Sequence, residues 1–252
     1  MSQIIAFADL DDTVFQTLRK LPGVNPAALT PATVNTAGEA HSFMTPAQVA
    51  LLDLLTAGQV TVIPVTGRDA AAFARVQLPF ASWRVLDHGL TILDAAGRAD
   101  TDWAAQVKAA LTPLQGDLHR LTEWLRPQAE AAGGRLTIHA AHGVPFMAVL
   151  KHPAADAAVL ARLQDAWTAE LAPGLPLRVI ANANNVSLLP AQFGKAAAVR
   201  YLRRTHFPGA ALTLGLGDSI SDLEFMAECD FALTPRRGQV MRALRGAQLE
   251  QR

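Results

Sequence analysis

Short apolar runs rich in β-favouring residues alternate along the chain with longer Ala/Leu-rich stretches of helical period. That alternation is the mark of a parallel sheet wrapped by helices. Core strands are expected at 4–8, 60–65, 84–86, 212–216 and 231–233. Most are apolar at nearly every position, as strands covered on both faces should be. Pro64 stands against the second of them, because a proline removes a ladder hydrogen bond from a central strand. Thr45-Pro46-Ala47-Gln48 supplies an N-cap, a proline at the first helical position and a capping-box Gln, and Gly58 supplies the stop. Further helices are expected over 194–205, 219–229 and 238–251.

The middle of the chain has a different rhythm. From 103 to about 133 the period is helical, with Pro113 marking a break and Pro127 an end. Strands at 135–140 and 144–150 follow, joined by a turn with His142 and Gly143, then a helix over 154–171. A second hairpin pairs 177–181 with 186–189 and turns through Asn182, Asn184 and Asn185, residues that tolerate left-handed backbone. Hairpins pair antiparallel and need no crossover. The expected fold class is therefore α/β: a Rossmann-like, doubly wound parallel sheet over 1–103 and 188–252, interrupted at 104–187 by an α-ββ-α-ββ insert. Residues 15–42 form a long connection, read as a lid, a flap or a small hairpin.

Composition narrows the class of function. In 252 residues, 22 Lys+Arg balance 22 Asp+Glu, and half of the chain is apolar. Zero net charge removes the general electrostatic argument for nucleic acid or an anionic membrane as partner. The single cysteine, Cys229, excludes an intrachain disulfide framework and reads as a small apolar residue. Apolar runs fall well short of the roughly 20 residues of a membrane helix. Met1-Ser2-Gln3-Ile4-Ile5 lacks the basic and apolar regions of a secretory signal. The expectation is a cytoplasmic protein, monomeric or weakly homodimeric, with a small molecule as partner. Trp83, Trp103, Trp124 and Trp167 are scattered and read as packing residues, and His139 and His142 lack the company a zinc site requires.

The chemistry is concentrated at strand ends. Asp9-Leu10-Asp11-Asp12-Thr13 follows the first strand, Thr66-Gly67-Arg68-Asp69 the second, and Gly217-Asp218-Ser219-Ile220-Ser221-Asp222 the fourth, while Gly194-Lys195 opens a helix. Ligands of open parallel sheets bind outside the carboxyl ends of the strands, where all four pieces map. Asp9, Asp11, Asp218 and Asp222 at −1 each with Lys195 at +1 leave −3, which calls for a cation. Oxygen-only ligands around a phosphate point to Mg²⁺. Gly194-Lys195-Ala196 is not a Walker A loop, and Gly215-x-Gly217 lacks the third glycine of a dinucleotide fingerprint.

The order and spacing of Asp9-x-Asp11-x-Thr13, Thr66-Gly67-Arg68, Lys195 and Gly217-Asp218-x-x-x-Asp222 resemble the haloacid dehalogenase superfamily of aspartate-nucleophile phosphatases. The α-ββ-α-ββ insert resembles the C2B cap of its subfamily IIB, the Cof-like and sucrose-phosphate-phosphatase-like branch. This resemblance implies a Mg²⁺-dependent phosphatase of a small phosphorylated metabolite, most simply a sugar phosphate, working through an aspartyl-phosphate. A phosphomannomutase-like phosphomutase is the alternative. A signalling receiver uses similar groups but has about half this length and no insert.

The same resemblance implies that Asp9 is the nucleophile and Asp11 the general acid and base, with Thr66 and Lys195 completing the catalytic set. Leu10, Thr66, Gly67, Arg68, Lys195 and, in the cap, His142 would meet phosphate or substrate. Asp9, Asp11 through its backbone carbonyl, Asp218 and Asp222 would serve the metal. Asp12 stands where relatives often have Gly and reads as a loop or helix-capping residue; Ser221 stands where many have Asn. Arg68, expected in the first turn of a helix, would reach phosphate or pair with a neighbouring acid.

Overall fold

The structure is a computed structural model describing residues 3–182 and 185–250. It divides into two units, one made of the segments up to Asp100 and from Lys195, the other Thr101–Gly194. Sequence reading placed these divisions at 103/104 and 187/188. They fall elsewhere because the first helix of the insert already begins at Thr101, and its last strand runs on to Pro190, beyond which Ala191 still donates to Pro176 O.

The first unit begins with β1 (Ile4–Ala8), then β2 (Gln16–Thr17), β3 (Thr30–Val34) and β4 (Ala40–Met44). Helix α1 (Pro46–Ala57), β5 (Thr61–Pro64), the single turn α2 (Ala70–Phe73), β6 (Arg84–Leu86) and β7 (Thr91–Leu93) follow. The second unit holds α3 (Thr101–Leu111), α4 (Gln115–Ala131), β8 (Arg135–Ala141), β9 (Val144–Lys151), α5 (Ala157–Ala169), β10 (Leu177–Asn182) and β11 (Asn185–Pro190). The chain then completes the first unit with α6 (Lys195–Thr205), β12 (Leu212–Leu216), α7 (Leu223–Met226), β13 (Phe231–Leu233) and α8 (Gln239–Glu250).

The main sheet is parallel, in the order β13-β12-β1-β5, and Val65 bridges on to Val85 of β6. Ile5, Ala6, Phe7 and Ala8 are fully buried, as the unbroken apolar run of β1 requires. Pro64 does lie in β5, opposite Ala8. Val65 donates to Ala8 O and Thr66 to Val85 O, so successive amides face opposite neighbours and the one Pro64 lacks would face β6. Pairing with β6 starts only at Val65, so no ladder bond is lost. α1 carries the expected capping box, with Thr45 accepting from the Gln48 amide and Gln48 accepting from the Thr45 amide.

Several expectations need correction. β13 is not covered on both faces: it is the sheet edge, and Phe231 is 63% exposed. The helix expected over 219–229 is a 3-10 turn, Ile220–Asp222, followed by α7 alone. Of the alternatives for residues 15–42 the hairpin is the one present, β3 pairing antiparallel with β4, and β2 adds to it as a third strand in the order β2-β4-β3. Pro127 does not end α4 but lies inside it, on the exposed side, where the carbonyl its ring displaces can be hydrated. Trp103 and Trp167 are buried and Trp83 stacks on His206, but Trp124 is 38% exposed. The helix expected over 154–171 is shorter, starting after the Asp156 cap, whose carboxylate accepts from Ala158 and Val159.

The second unit is an antiparallel sheet, β10-β11-β9-β8, whose buried face packs on α4 and α5 through Leu121, Leu125, Leu150, Leu163, Trp167 and Leu188. Asn182 pairs with Asn185 at the end of the second hairpin, and Asn184 lies outside the described residues, as do Gln251 and the chain start at Met1 and Ser2. No described helix is long and apolar enough to cross a membrane. Burial pushes the Cys229 thiol up to about 12, which leaves it inert as a nucleophile.

In the first unit α7 packs tightly on β12. A Cβ at Gly215 would lie 2.8 Å from the Met226 Cα, a backbone atom that cannot swing aside. Gly215→Ala should therefore destabilise the protein by about 1–3 kcal/mol, read as a lowered midpoint in thermal unfolding, while Gly209→Ala, with open space around it, should not.

Candidate active site

Four loops meet at the carboxyl edge of the parallel sheet. Asp9 follows β1, and its amide still donates to Leu216 O at 2.8 Å, so the ladder with β12 fixes its backbone. Asp218 follows β12 after Gly217, whose amide donates to Leu233 O. Thr66 follows β5 and is buried, its amide held by Val85 O. Lys195 is the first residue of α6.

Lys195 ties the loops after β1 and β12 together. Its ammonium donates to Asp9 Oδ1 at 2.6 Å and to Asp222 Oδ1 at 2.7 Å, and lies 5.7 Å from the centre of the Phe225 ring. The Thr13 hydroxyl donates to Asp9 Oδ2 at 3.0 Å. Ser219 donates to Asp222 Oδ2 through both its amide, at 3.1 Å, and its hydroxyl, at 2.7 Å. Among the described residues none donates to the Asp218 carboxylate. Asp9, Asp218 and Asp222 are all buried, and each offers an oxygen within 4.8 Å of the others'.

Three carboxylates and one ammonium leave this cluster at −2. Burial pushes Asp9 up to about 7, overriding the opposing pull of Lys195. Burial also raises Asp218 to about 6, with Asp12 and Asp222 adding to the effect. Burial works against the Lys195 ammonium, but Asp9 and Asp222 outweigh it and hold the group above its ordinary value. Carboxylates driven toward protonation, with the oxygens of Asp218 unengaged, form a hard-oxygen donor set that fits a divalent cation of the Mg²⁺ type.

Other predicted residues are placed as follows. The Asp11 carboxylate does not join the cluster: it is half exposed and gripped by Arg68, whose Nε and Nη2 donate to it at 2.8 and 2.7 Å. Of the two partners expected for Arg68, this structure shows the acid. Arg68 is not in a first helical turn either, since Asp69 is the N-cap of α2 and accepts from the Ala72 amide. Asp12 caps no helix; it sits in the loop at φ 70°, the left-handed region that suits Gly, and pairs with Lys20. The Leu10 carbonyl accepts from the Val14 amide at 2.9 Å. Among the described residues the amides of Leu10 and Gly67 have no acceptor, as amides that cradle an anion require. Ser221 is exposed and its hydroxyl meets that of Ser219 at 2.8 Å. His142 is on the β8–β9 turn of the second unit, at φ 51°.

Sequence reading gave Thr13 and Ser219 no task, although Thr13 stands in the first motif and Ser219 begins a capping box with Asp222. It also missed the segment Asp87-His88-Gly89, whose amides at Asp87 and His88 bond Arg68 O and Thr66 O. A His-Gly pair directly after a strand was the only signal.

The raised carboxylates predict a pH signature. Asp9 and Asp218 stand above their unfolded value of 3.8. Between about pH 4 and 7 the folded protein thus binds more protons than the unfolded chain, so their contribution is fully present at the acid end and lost as pH rises through 6 to 7. In chelator, the unfolding temperature should fall from pH 5 to pH 8. Mg²⁺ should restore it far more at pH 8, by about 2.7 kcal/mol at a hundredfold excess over its Kd. Asp218→Asn should flatten both responses; a Mg²⁺ response in that variant as large as in wild type would remove the cluster as a cation site.

No protein-family model matches the sequence, and no curated protein matches it. Solved structures do. Sucrose-phosphatase from Synechocystis sp., solved with sucrose and phosphate, is 20% identical and matches over 95% of this chain and 85% of its own, with a TM-score of 0.54. The C-terminal domain of trehalose-6-phosphate phosphatase from C. albicans is 14% identical, over 89% and 73% of the two chains, with a TM-score of 0.58. Trehalose-6-phosphate phosphatase from Aspergillus fumigatus is 13% identical, over 92% and 82%, with a TM-score of 0.50. A parallel sheet interrupted by an antiparallel α/β insert matches these structures over nearly the whole chain, so this protein shares their fold.

Proposed function

We propose that the protein is a Mg²⁺-dependent phosphatase that hydrolyses a small phosphorylated metabolite, with sugar phosphates as the substrate class. The observation that carries this reading is the buried Asp9 carboxylate held by Lys195 and Thr13 beside the unengaged Asp218. A carboxylate fixed at both oxygens is aimed, not free to rotate, which is what an in-line nucleophile needs.

In this reading an Asp9 oxygen attacks phosphorus, the bond from phosphorus to the sugar oxygen breaks, and its electron pair leaves on that oxygen with a proton from Asp11. Water then attacks the phosphorus of the aspartyl-phosphate, Asp11 takes the proton, and Asp9 returns as a carboxylate with inorganic phosphate released. Asp11 serves only from a position outside the Arg68 fork, so arrival of the phosphate, a second anion for Arg68, frees the proton carrier. Thr66 and the amides of Leu10 and Gly67 surround the phosphoryl oxygens, and Lys195 offsets their charge. Asp9, Asp218 and the Asp11 carbonyl would hold Mg²⁺, with Asp222 behind them; the ion supplies the positive charge that the −2 cluster and a phosphate dianion lack. The inserted unit, His142 included, serves as the cap that selects the substrate. Sugar phosphates are favoured because the solved sucrose- and trehalose-6-phosphate phosphatases share both the core fold and the insert. The setting is an intracellular one, where such metabolites occur, and the chain acts alone or as a weak homodimer.

A panel of phosphorylated sugars, acids and nucleotides assayed for free phosphate with Mg²⁺ tests the reading. Phosphate release, abolished reversibly by chelator and lost in Asp9→Asn, is expected; transfer of the phosphoryl group to a second sugar hydroxyl without release would mark a mutase instead. Asp11→Asn should slow hexose phosphates by about 10²–10⁴-fold but p-nitrophenyl phosphate far less, because that leaving group departs without a proton. Equal losses on both substrates would take the acid role from Asp11.

A further inference from the structure

Between β6 and β7 three consecutive residues adopt left-handed backbone, Asp87 at φ 51°, His88 at φ 57° and Gly89 at φ 106°. Two of them are not glycine, and such conformations persist only where the surroundings over-determine them. Here the surroundings are the loop after β5: the Asp87 amide donates to Arg68 O at 2.9 Å and the His88 amide to Thr66 O at 3.1 Å. The turn thus clamps Thr66-Gly67-Arg68 from both ends. Its middle is pressed as well. A Cβ on Gly67 would stand 2.4 Å from His88 Cε1 and 2.5 Å from Nε2, so the imidazole lies against the Gly67 Cα. Gly67 itself is not left-handed, so its backbone would accept any residue; what excludes a side chain is the His88 ring. The same turn also packs against α6, the helix that Lys195 begins.

We propose that His88 is a positioning residue for phosphoryl transfer. Its ring, set by the left-handed backbone, presses the Gly67 peptide into place and so fixes the direction of the Gly67 amide and the Thr66 hydroxyl. The inference rests on the phosphatase reading above and adds to it the reason why position 67 is glycine. Donors that must meet charge as it develops act mainly on kcat, and removing one preorganised donor outright lowers kcat by about 10²–10³-fold. Loosening one through its support should have a smaller but related effect, on the order of tenfold.

The test uses the full-length protein with Mg²⁺ and p-nitrophenyl phosphate, comparing wild type with His88→Ala, His88→Asn, Gly67→Ala and the Gly67→Ala/His88→Ala double variant. Asn accepts left-handed backbone but lacks the ring. His88→Ala and His88→Asn are expected to lower kcat on the order of tenfold with KM little changed, and to weaken inhibition by orthovanadate in parallel. Gly67→Ala should be impaired at least as much, and His88→Ala should rescue it, because the new methyl then fills the space the ring has left. Unfolding temperatures measured alongside separate this from a packing role, which would lower stability while the folded variants kept wild-type kcat and vanadate affinity. That outcome, or a Gly67→Ala defect equally large with and without His88, overturns the proposal while an inactive Asp9→Asn leaves the phosphatase reading standing. Wild-type protein that releases no phosphate, or an Asp9→Asn variant that still does, overturns that reading and this inference with it.

Discussion

The site depends on one ammonium shared by two buried carboxylates. Lys195 reaches Asp9 across 186 positions of sequence and Asp222 across 27, and both bonds are under 3 Å. Removing the lysine would leave uncompensated charge in a buried place, a far larger penalty than the loss of a surface pair. The sheet topology follows from this need. Because β1 and β12 are parallel neighbours, Asp9 and Asp218 leave the sheet at the same edge, and the short 3-10 turn after β12 brings Asp222 back over them. One positive charge among three negatives holds the loops after β1 and β12 together without neutralising them, and that imbalance leaves a donor set that fits a divalent cation.

The helix that begins with Lys195 is fixed at its other end too. Asp100, the last residue before the chain passes to the second unit, accepts from the Tyr201 hydroxyl at 3.0 Å and meets His206 Nε2 at 2.7 Å, while His206 stacks on Trp83. Tyr201 belongs to α6 and His206 follows it directly. The ammonium at one end and the anchor of the departing chain at the other are joined by a rigid rod of three turns. A hydrogen-bonded network of this kind resists sliding of the helix along the sheet, and so holds the two Lys195 bonds at their length.

The features of sequence that proved legible were those with a one-dimensional cause. A parallel strand buried on both faces must be an apolar run, and ligands must follow its carboxyl end, so β1, β5 and β12 and the acids after them could be read directly. Hairpins in the insert announced themselves by alternation and turn residues. What could not be read depended on partners far away in sequence. Nothing near Arg68 says that it will grip Asp11, 57 positions earlier. Nothing in 231–233 says that β13 will be an edge, since an apolar triplet looks the same at the edge and the centre of a sheet. Pro64 argued against its own strand because the rule it breaks concerns which neighbour its missing amide would face, and that neighbour is set by the fold.

Glycine illustrates the same limit from the opposite side. The usual reading takes glycine as the mark of left-handed backbone. Around this site the pattern is inverted. Gly67, Gly217 and Gly238 have ordinary φ, and each is required because another residue occupies the place of a Cβ: His88 at Gly67, Asp222 at Gly217, and the Asp218 backbone at Gly238. Of the left-handed positions near the acids, Asp12, Asp87 and His88 carry full side chains, and Gly89 alone is a glycine among these four. Each such residue costs conformational energy that a glycine would spare. The glycines thus let chain segments approach closely, while the strained residues present a charge or a ring at the point of approach. That Asp12 adds to the rise of the Asp218 carboxyl is one product of this arrangement, since a glycine at that position would relieve the strain and at the same time remove a negative charge from beside the buried acids.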